Sequence, residues 1–184
     1  MFTLFDAMLT ALYLMIPLIL SGSLHMLVVS RHWLAPLAVP INQPAFGANK
    51  TWRGIVVMPL ATVPGVYLAQ WLEPLLAEHL LASLVGLNPW LLGLALGIGY
   101  VLAELPNSYI KRRLNIQPGK QPERHAFWFG LMDQADSAIG CALVYWLLLN
   151  PGLWVILAFI LLGPLLHLVI NLLLYSLGLR KQPF

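Results

Sequence analysis

Three acidic residues stand where a chain this apolar can least accommodate them. Glu104, Asp133 and Asp136 lie in or beside long hydrophobic stretches, and a charge at the bilayer centre costs roughly 2.5 to 3.5 kcal/mol on insertion scales. Asp133 and Asp136 are three positions apart, so on a helix both carboxylates project from one face about a turn apart. Such a pair can hold a divalent cation. Magnesium takes one or two carboxylates and fills its shell with water and substrate phosphates. The same pair could instead cap a helix and meet the positive end of its dipole, with no ligand involved. Alone, the two residues leave both readings open.

The neighbouring cations and glycines favour the first. The run Phe46–Gly54, FGANKTWRG, is a short Gly-bounded loop carrying Lys50, Thr51 and Arg53. It can offer backbone N–H groups, a hydroxyl and two cations to phosphate oxygens, although in isolation it also reads as a membrane anchor with Trp52 in the interfacial belt. The second basic run, Asn107–His125, reads NSYIKRRLNIQPGKQPERH. Lys111, Arg112 and Arg113 there could snorkel to the interface and attract anionic head groups. Glu104, Asn107 and Ser108 just before them add a carboxylate, an amide and a hydroxyl, which suits a lined polar cavity better than a simple anchor. Pro118, Gly119 and Pro122 mark a loop, and His125–Phe129 (HAFWF) an interfacial aromatic segment.

Those residues must be positioned by membrane-spanning helices. A span needs about 20 mostly apolar residues, and five stretches qualify: 7–29, 55–72, 90–105, 135–149 and 153–177. The expected fold is therefore an all-α integral membrane protein, one transmembrane domain over 1–184 built as a compact five-helix bundle. Pro59, Pro64 and Pro106 predict kinked or broken helices. All 10 Lys and Arg fall between spans one and two, between spans three and four, or after span five. By the positive-inside rule this gives an N-out, C-in chain in the cell membrane, with cytoplasmic loops at about 30–54 and 108–132 forming a polar site that faces the cytoplasm. The first span lacks a basic leader and exceeds a signal-peptide core, so it is expected to persist as a helix. The segment from Glu73 to Asn88 reads as an amphipathic stretch on the outer interface. Gly93, Gly97 and Gly99 allow close helix packing. His167, Asn171 and Tyr175 recur every four residues on one helix face, and are expected to meet other helices or line the cavity.

Composition excludes other classes. The 184 residues are 60% hydrophobic and 9% charged, with a mean hydropathy of +0.81, outside the range of soluble globular domains. A net charge of +3 with scattered cations is no nucleic-acid footprint. Cys141, the single cysteine, excludes an intrachain disulfide and a Cys-rich zinc site. The five histidines show no zinc-helix spacing. No internal repeat supports an inverted-repeat transporter.

NKTWRG at Asn49–Gly54, SYIKRR at Ser108–Arg113, DQAD at Asp133–Asp136 and the tail His167, Asn171, Tyr175, RKQPF together resemble the CDP-archaeol synthase family. That family is related to CDP-diacylglycerol synthase among the CTP-dependent lipid-phosphate cytidylyltransferases. The resemblance implies a compact five-span enzyme that uses CTP and Mg2+ to cytidylate a membrane lipid phosphate, an isoprenoid or acyl glycerol phosphate, releasing pyrophosphate. It implies that Asp133 and Asp136 hold the metal, with Glu104 a third candidate, and that Lys111 belongs with them in the catalytic set. Lys50 and Arg53 would contact phosphates, Lys111 and Arg112 the triphosphate or lipid phosphate, and Asn107 and Ser108 would orient ligands or metal-bound water, with Thr51 supporting them. Two departures stand out: Ala103–Glu104 replaces the usual Gly-Asp, and Gln134 replaces the Arg common in CDP-diacylglycerol synthases, which favours the archaeal-type branch. A non-catalytic scaffold or small transport component binding anionic lipids accounts equally for the basic loops, but not for carboxylates set beside them.

Overall fold

The computed structural model describes residues 3–120 and 125–179. Arg124, Arg180 and Lys181, part of the expected basic face, lie outside the described residues, as do Pro122 and the last residues of the tail. The described chain is all-helical: α1 Leu4–Ser30, the short α2 Gln43–Phe46, α3 Trp52–Leu72, α4 Pro89–Arg113, α5 Ala126–Leu148 and α6 Leu153–Ser176. Each start has a local cause. Thr3 and Asp6 form a reciprocal capping box on α1, and Asn88 accepts from the Trp90 and Leu91 N–H groups while Pro89 opens α4.

Successive long helices reverse direction and close around a core that includes Tyr13, Leu14, Val66, Leu96, Tyr145 and Phe159, all essentially inaccessible. Close approach depends on glycine. A Cβ on Gly97 would sit 2.3 Å from Pro59 Cα, one on Gly93 2.7 Å from Val63 Cα, and one on Gly65 2.6 Å from Pro17 Cα. Of the prolines expected to kink or break helices, Pro59 is a crossing point. α3 runs unbroken through Pro59 and Pro64, and α4 through Pro106; Pro17 of α1 and Pro59 each meet a glycine of the next helix backbone to backbone.

Among the described residues, four helices are long and apolar enough to cross a membrane: α1, α3 with the turn after it, α4 and α6. Much of their surface is exposed Leu, Val, Ile and Trp, as suits a chain in lipid. α5 is comparable in length but carries Asp133, Gln134 and Asp136 in its first half.

The structure corrects the expected loop at 108–132 and removes the capping alternative for the acidic pair. α4 extends to Arg113 and α5 begins at Ala126, so most of the expected loop at 108–132 is helical. Asp133 and Asp136 therefore sit two to three turns inside α5, too deep to cap it. Between α3 and α4 the segment Glu73–Asn88 makes no further long helix and carries two short 3-10 turns, Glu73–Leu75 and Ala77–His79. It is pinned by the buried Glu73, whose carboxylate accepts from the Tyr13 and Ser83 hydroxyls and from the N–H groups of Leu84 (2.8 Å) and Val85 (3.2 Å).

Candidate functional site

α4 presents two stripes at the basic end of the bundle, because residues four apart on a helix share a face. Glu104, Ser108 and Arg112 form one. Asn107 and Lys111 form the other. The first meets the segment before α3: Glu104 pairs with Lys50, and Arg112 Nη1 lies 3.0 Å from where a Cβ would stand on Gly47. Gly47 also has φ of +89°, a backbone conformation that favours glycine. The segment is fixed by main-chain bonds from Ile41 N to Lys50 O (2.9 Å) and from Trp52 N to Val39 O (3.0 Å). The Arg113 guanidinium ties α2 to α4 by donating to Pro44 O at 3.2 Å.

The second stripe meets α5. Asn107 Nδ2 donates to Asp133 Oδ1 at 2.8 Å and to Asp136 Oδ2 at 3.1 Å, so the two carboxylates converge on one point. Lys111 is paired with Asp133 and lies 5.8 Å from the centroid of the Phe129 ring. Asp136 is buried, and its other oxygen accepts from Ser137 N at 2.7 Å. The result is a row, Lys50, Glu104, Asp136, Asn107, Asp133 and Lys111, with a lysine at each end and crossing three elements. The sequence named every member. Thr51 precedes α3 as its N-cap, and Ser108 lies half-buried on the first stripe. Arg53 is set apart: its Nη1 donates to Trp33 O at 3.3 Å, and among the described residues it makes no hydrogen bond or ion pair with the acidic row.

The basic side holds unmet donors. Arg53 Nε and the Nε and Nη1 of Arg112 are buried without a hydrogen-bond partner among the described residues. Buried guanidinium donors without acceptors are costly, and an anion such as phosphate satisfies them. The acidic side fits a divalent metal. Two convergent carboxylates, to both of which Asn107 Nδ2 donates, supply hard oxygen donors of the kind magnesium takes together with water and phosphate oxygens. Among the described residues no cluster of three or more acidic, His or Cys ligands occurs, so Glu104, held by Lys50, stands outside that pair.

Two cavities flank the row. One, of about 450 Å³, lies among α1, α3, α4, α5 and α6, and its polar wall includes His25, Lys50, Glu104, Ser137, His167 and Asn171. The other, of about 440 Å³, is an apolar groove between α4 and α5 lined by Ile110, Trp128, Met132 and Ile139, with Asn107 and Asp136 at its polar edge. The first cavity confirms the expected lining role for His167 and Asn171. Tyr175 departs from it, being 48% exposed. His25 was the residue that sequence reasoning undervalued, although an ionisable group within a span is itself the signal. Tyr100 and Ser137, also on this wall, carry no such mark in the sequence.

A family model described as CarS-like, CDP-archaeol synthase, matches residues 4–184. The chain is 32% identical over 150 residues to a CDP-archaeol synthase of Methanospirillum hungatei, covering 75% of this chain and 80% of that one. It is 33% identical over 141 residues to the protein of the same name from Natronomonas pharaonis, covering 75% and 71%. For the Halobacterium salinarum counterpart, identity is 30% over 144 residues, covering 75% of each. No solved structure matches the chain significantly.

Proposed function

Because the chain belongs to the CDP-archaeol synthase family, we propose that it transfers the cytidylyl group of CTP to the phosphate of an isoprenoid glycerol lipid, with pyrophosphate as the second product. The observation that carries this reading is the row from Lys50 to Lys111, with two convergent carboxylates between cations and buried guanidinium donors beside it. A scaffold that merely bound anionic lipids would gain nothing from Asp133 and Asp136 in that position, since they repel anions.

In this reading a lipid phosphate oxygen attacks the α-phosphorus of CTP, the new P–O bond forms, and the bond to the bridging oxygen breaks as pyrophosphate leaves. Catalysis is then positioning and charge neutralisation. Asp133 and Asp136 would hold Mg2+, which when bound would neutralise phosphate charge. Lys50, Arg112 and Arg53 bind phosphate oxygens, and Lys111 passes from Asp133 to a phosphate as substrate enters. Asn107 and Ser108 orient the ligands, and Thr51 fixes the start of α3 beneath Lys50. The lipid chain occupies the groove at Trp128, Met132 and Ile139, which brings its head group to Asn107 and Asp136.

Residues 1–184 form one transmembrane domain in which α5 is the fourth of five spans, its acidic residues compensated by α4. The N-terminus lies outside and the C-terminus inside, since Lys50, Arg53 and Lys111–Arg113 collect at one end of the bundle. The reaction thus faces the cytoplasm at the cell membrane. The test is mass spectrometry of lipids after purified protein meets CTP, Mg2+ and a panel of isoprenoid and acyl glycerol phosphates. A CDP-lipid formed with the isoprenoid phosphates is expected; no CDP-lipid with any member overturns the reading.

A further inference from the structure

Asn171 on α6 is 5% exposed and lines the cavity among α1, α3, α4, α5 and α6. No described residue forms a hydrogen bond with its amide. An amide carries two donors and one acceptor with two lone pairs, and that of Asn171, whose polar atoms are not fully enclosed by protein, opens into the cavity, where a ligand can meet both kinds. The chemistry needed from a ligand is therefore a group that donates as well as accepts.

That requirement separates the two substrates. Phosphate oxygens and the ether or ester oxygens of a glycerol lipid only accept, so either would leave the Asn171 oxygen unmet. A nucleoside does both, through the amino and ring-nitrogen edge of its base and through its ribose hydroxyls. Position agrees with this. Asn171 lies five residues before the end of α6 at Ser176, and His25 five before the end of α1 at Ser30, each about 8 Å below its helix end at 1.5 Å per residue. Lys50 and Thr51, at the mouth, line the same cavity. A nucleotide whose phosphates lie against Lys50 places its sugar and base within this ring of polar groups. The other cavity, nearly all apolar, suits the lipid chain.

We infer that the α1–α3–α4–α5–α6 cavity is the nucleoside compartment and that Asn171 is a specificity-determining residue hydrogen-bonded to the nucleoside of the substrate. The inference rests on the cytidylyl-transfer reading. Its test compares CTP with inorganic tripolyphosphate, which offers the same phosphate chain without sugar or base, each measured by calorimetry with Mg2+ on the detergent-solubilised native protein and Asn171→Leu. Asn171→Leu is expected to weaken CTP roughly tenfold, the scale of one or two neutral hydrogen bonds, while tripolyphosphate and the KM for lipid phosphate stay within about twofold. Should the leucine variant fail to fold, Asn171→Ser is read in the same way. Equal weakening of CTP and tripolyphosphate, no change in either, or a rise in the lipid KM would each overturn the inference. If the native protein binds neither probe, the cytidylyl-transfer reading itself fails; if it binds CTP and the variants match it, only the role of Asn171 does.

Discussion

Both ends of the bundle bury carboxylates, and the company they keep is different. At the end away from the basic segments, Glu73 accepts from two hydroxyls and two backbone N–H groups. All four donors are neutral, and two are main chain. At the basic end, Asp133, Asp136 and Glu104 face Lys111, Asn107 and Lys50, long or rotatable side chains that a metal or a phosphate can displace. Neutral fixed donors make a carboxylate a structural pin. Exchangeable cations beside unmet arginine nitrogens make it a site. A buried charge is therefore read by what partners it, since burial alone does not separate the two.

The largest effect should come from the site. Asp136→Asn is expected to lower turnover by a factor of about 10³ or more, on the scale of losing a charge-stabilising group, with the unfolding temperature held within a few degrees. Near-normal activity would remove Asp136 from the metal pair. At the opposite end the reverse pattern is expected. Glu73→Leu leaves four donors without their acceptor and should cost about 3 kcal/mol of stability, read by thermal unfolding in detergent, while kcat of the folded fraction is unchanged. Loss of kcat without loss of stability would merge the two ends into one functional class.

Next in size is the packing that holds the ends in register. Gly97→Ala would put a methyl group 2.3 Å from Pro59 Cα, and overpacking of this kind costs about 1 to 3 kcal/mol. A variant as stable as the native protein would show that α3 and α4 can separate freely at Pro59. The smallest effect concerns the displaceable cations. Lys111→Met should tighten Mn2+ binding, followed by electron paramagnetic resonance without nucleotide, roughly tenfold, about 1.4 kcal/mol, because Lys111 no longer competes for Asp133. Removing the exposed Lys120 in the same way should change little, and equal effects from both would reduce the role of Lys111 to net charge.

Residue type and spacing picked out the polar side chains that the fold brings together better than they marked the fold itself. Lys50, Glu104, Asn107, Lys111, Asp133 and Asp136 stand out because ionisable and amide groups are rare in so apolar a chain. The start of α5 was placed nine residues late because hydropathy reports how a side chain fares in lipid, not where backbone hydrogen bonds continue. Asp133, Gln134 and Asp136 depress the apolar signal while the helix runs on, their charge met by α4. The role of Glu73 was hidden for a related reason: Tyr13 is 60 positions away, and only the fold brings its hydroxyl to the carboxylate. Pro17 and Pro59 likewise disclose their packing only once Gly65 and Gly97 are seen opposite them.

The central claim, phosphoryl chemistry at the Asp133–Asp136 pair on a lipid acceptor, is tested most directly by following the phosphorus of CTP. Purified native protein and Asp136→Asn would each receive CTP labelled at the α- or the γ-phosphate, with Mg2+ and an isoprenoid glycerol phosphate in detergent. The account predicts that α-label moves into the lipid fraction and γ-label into pyrophosphate with the native protein alone, and only when Mg2+ is present. Transfer of γ-label to lipid, equal transfer by the variant, or full transfer without a divalent metal would contradict it.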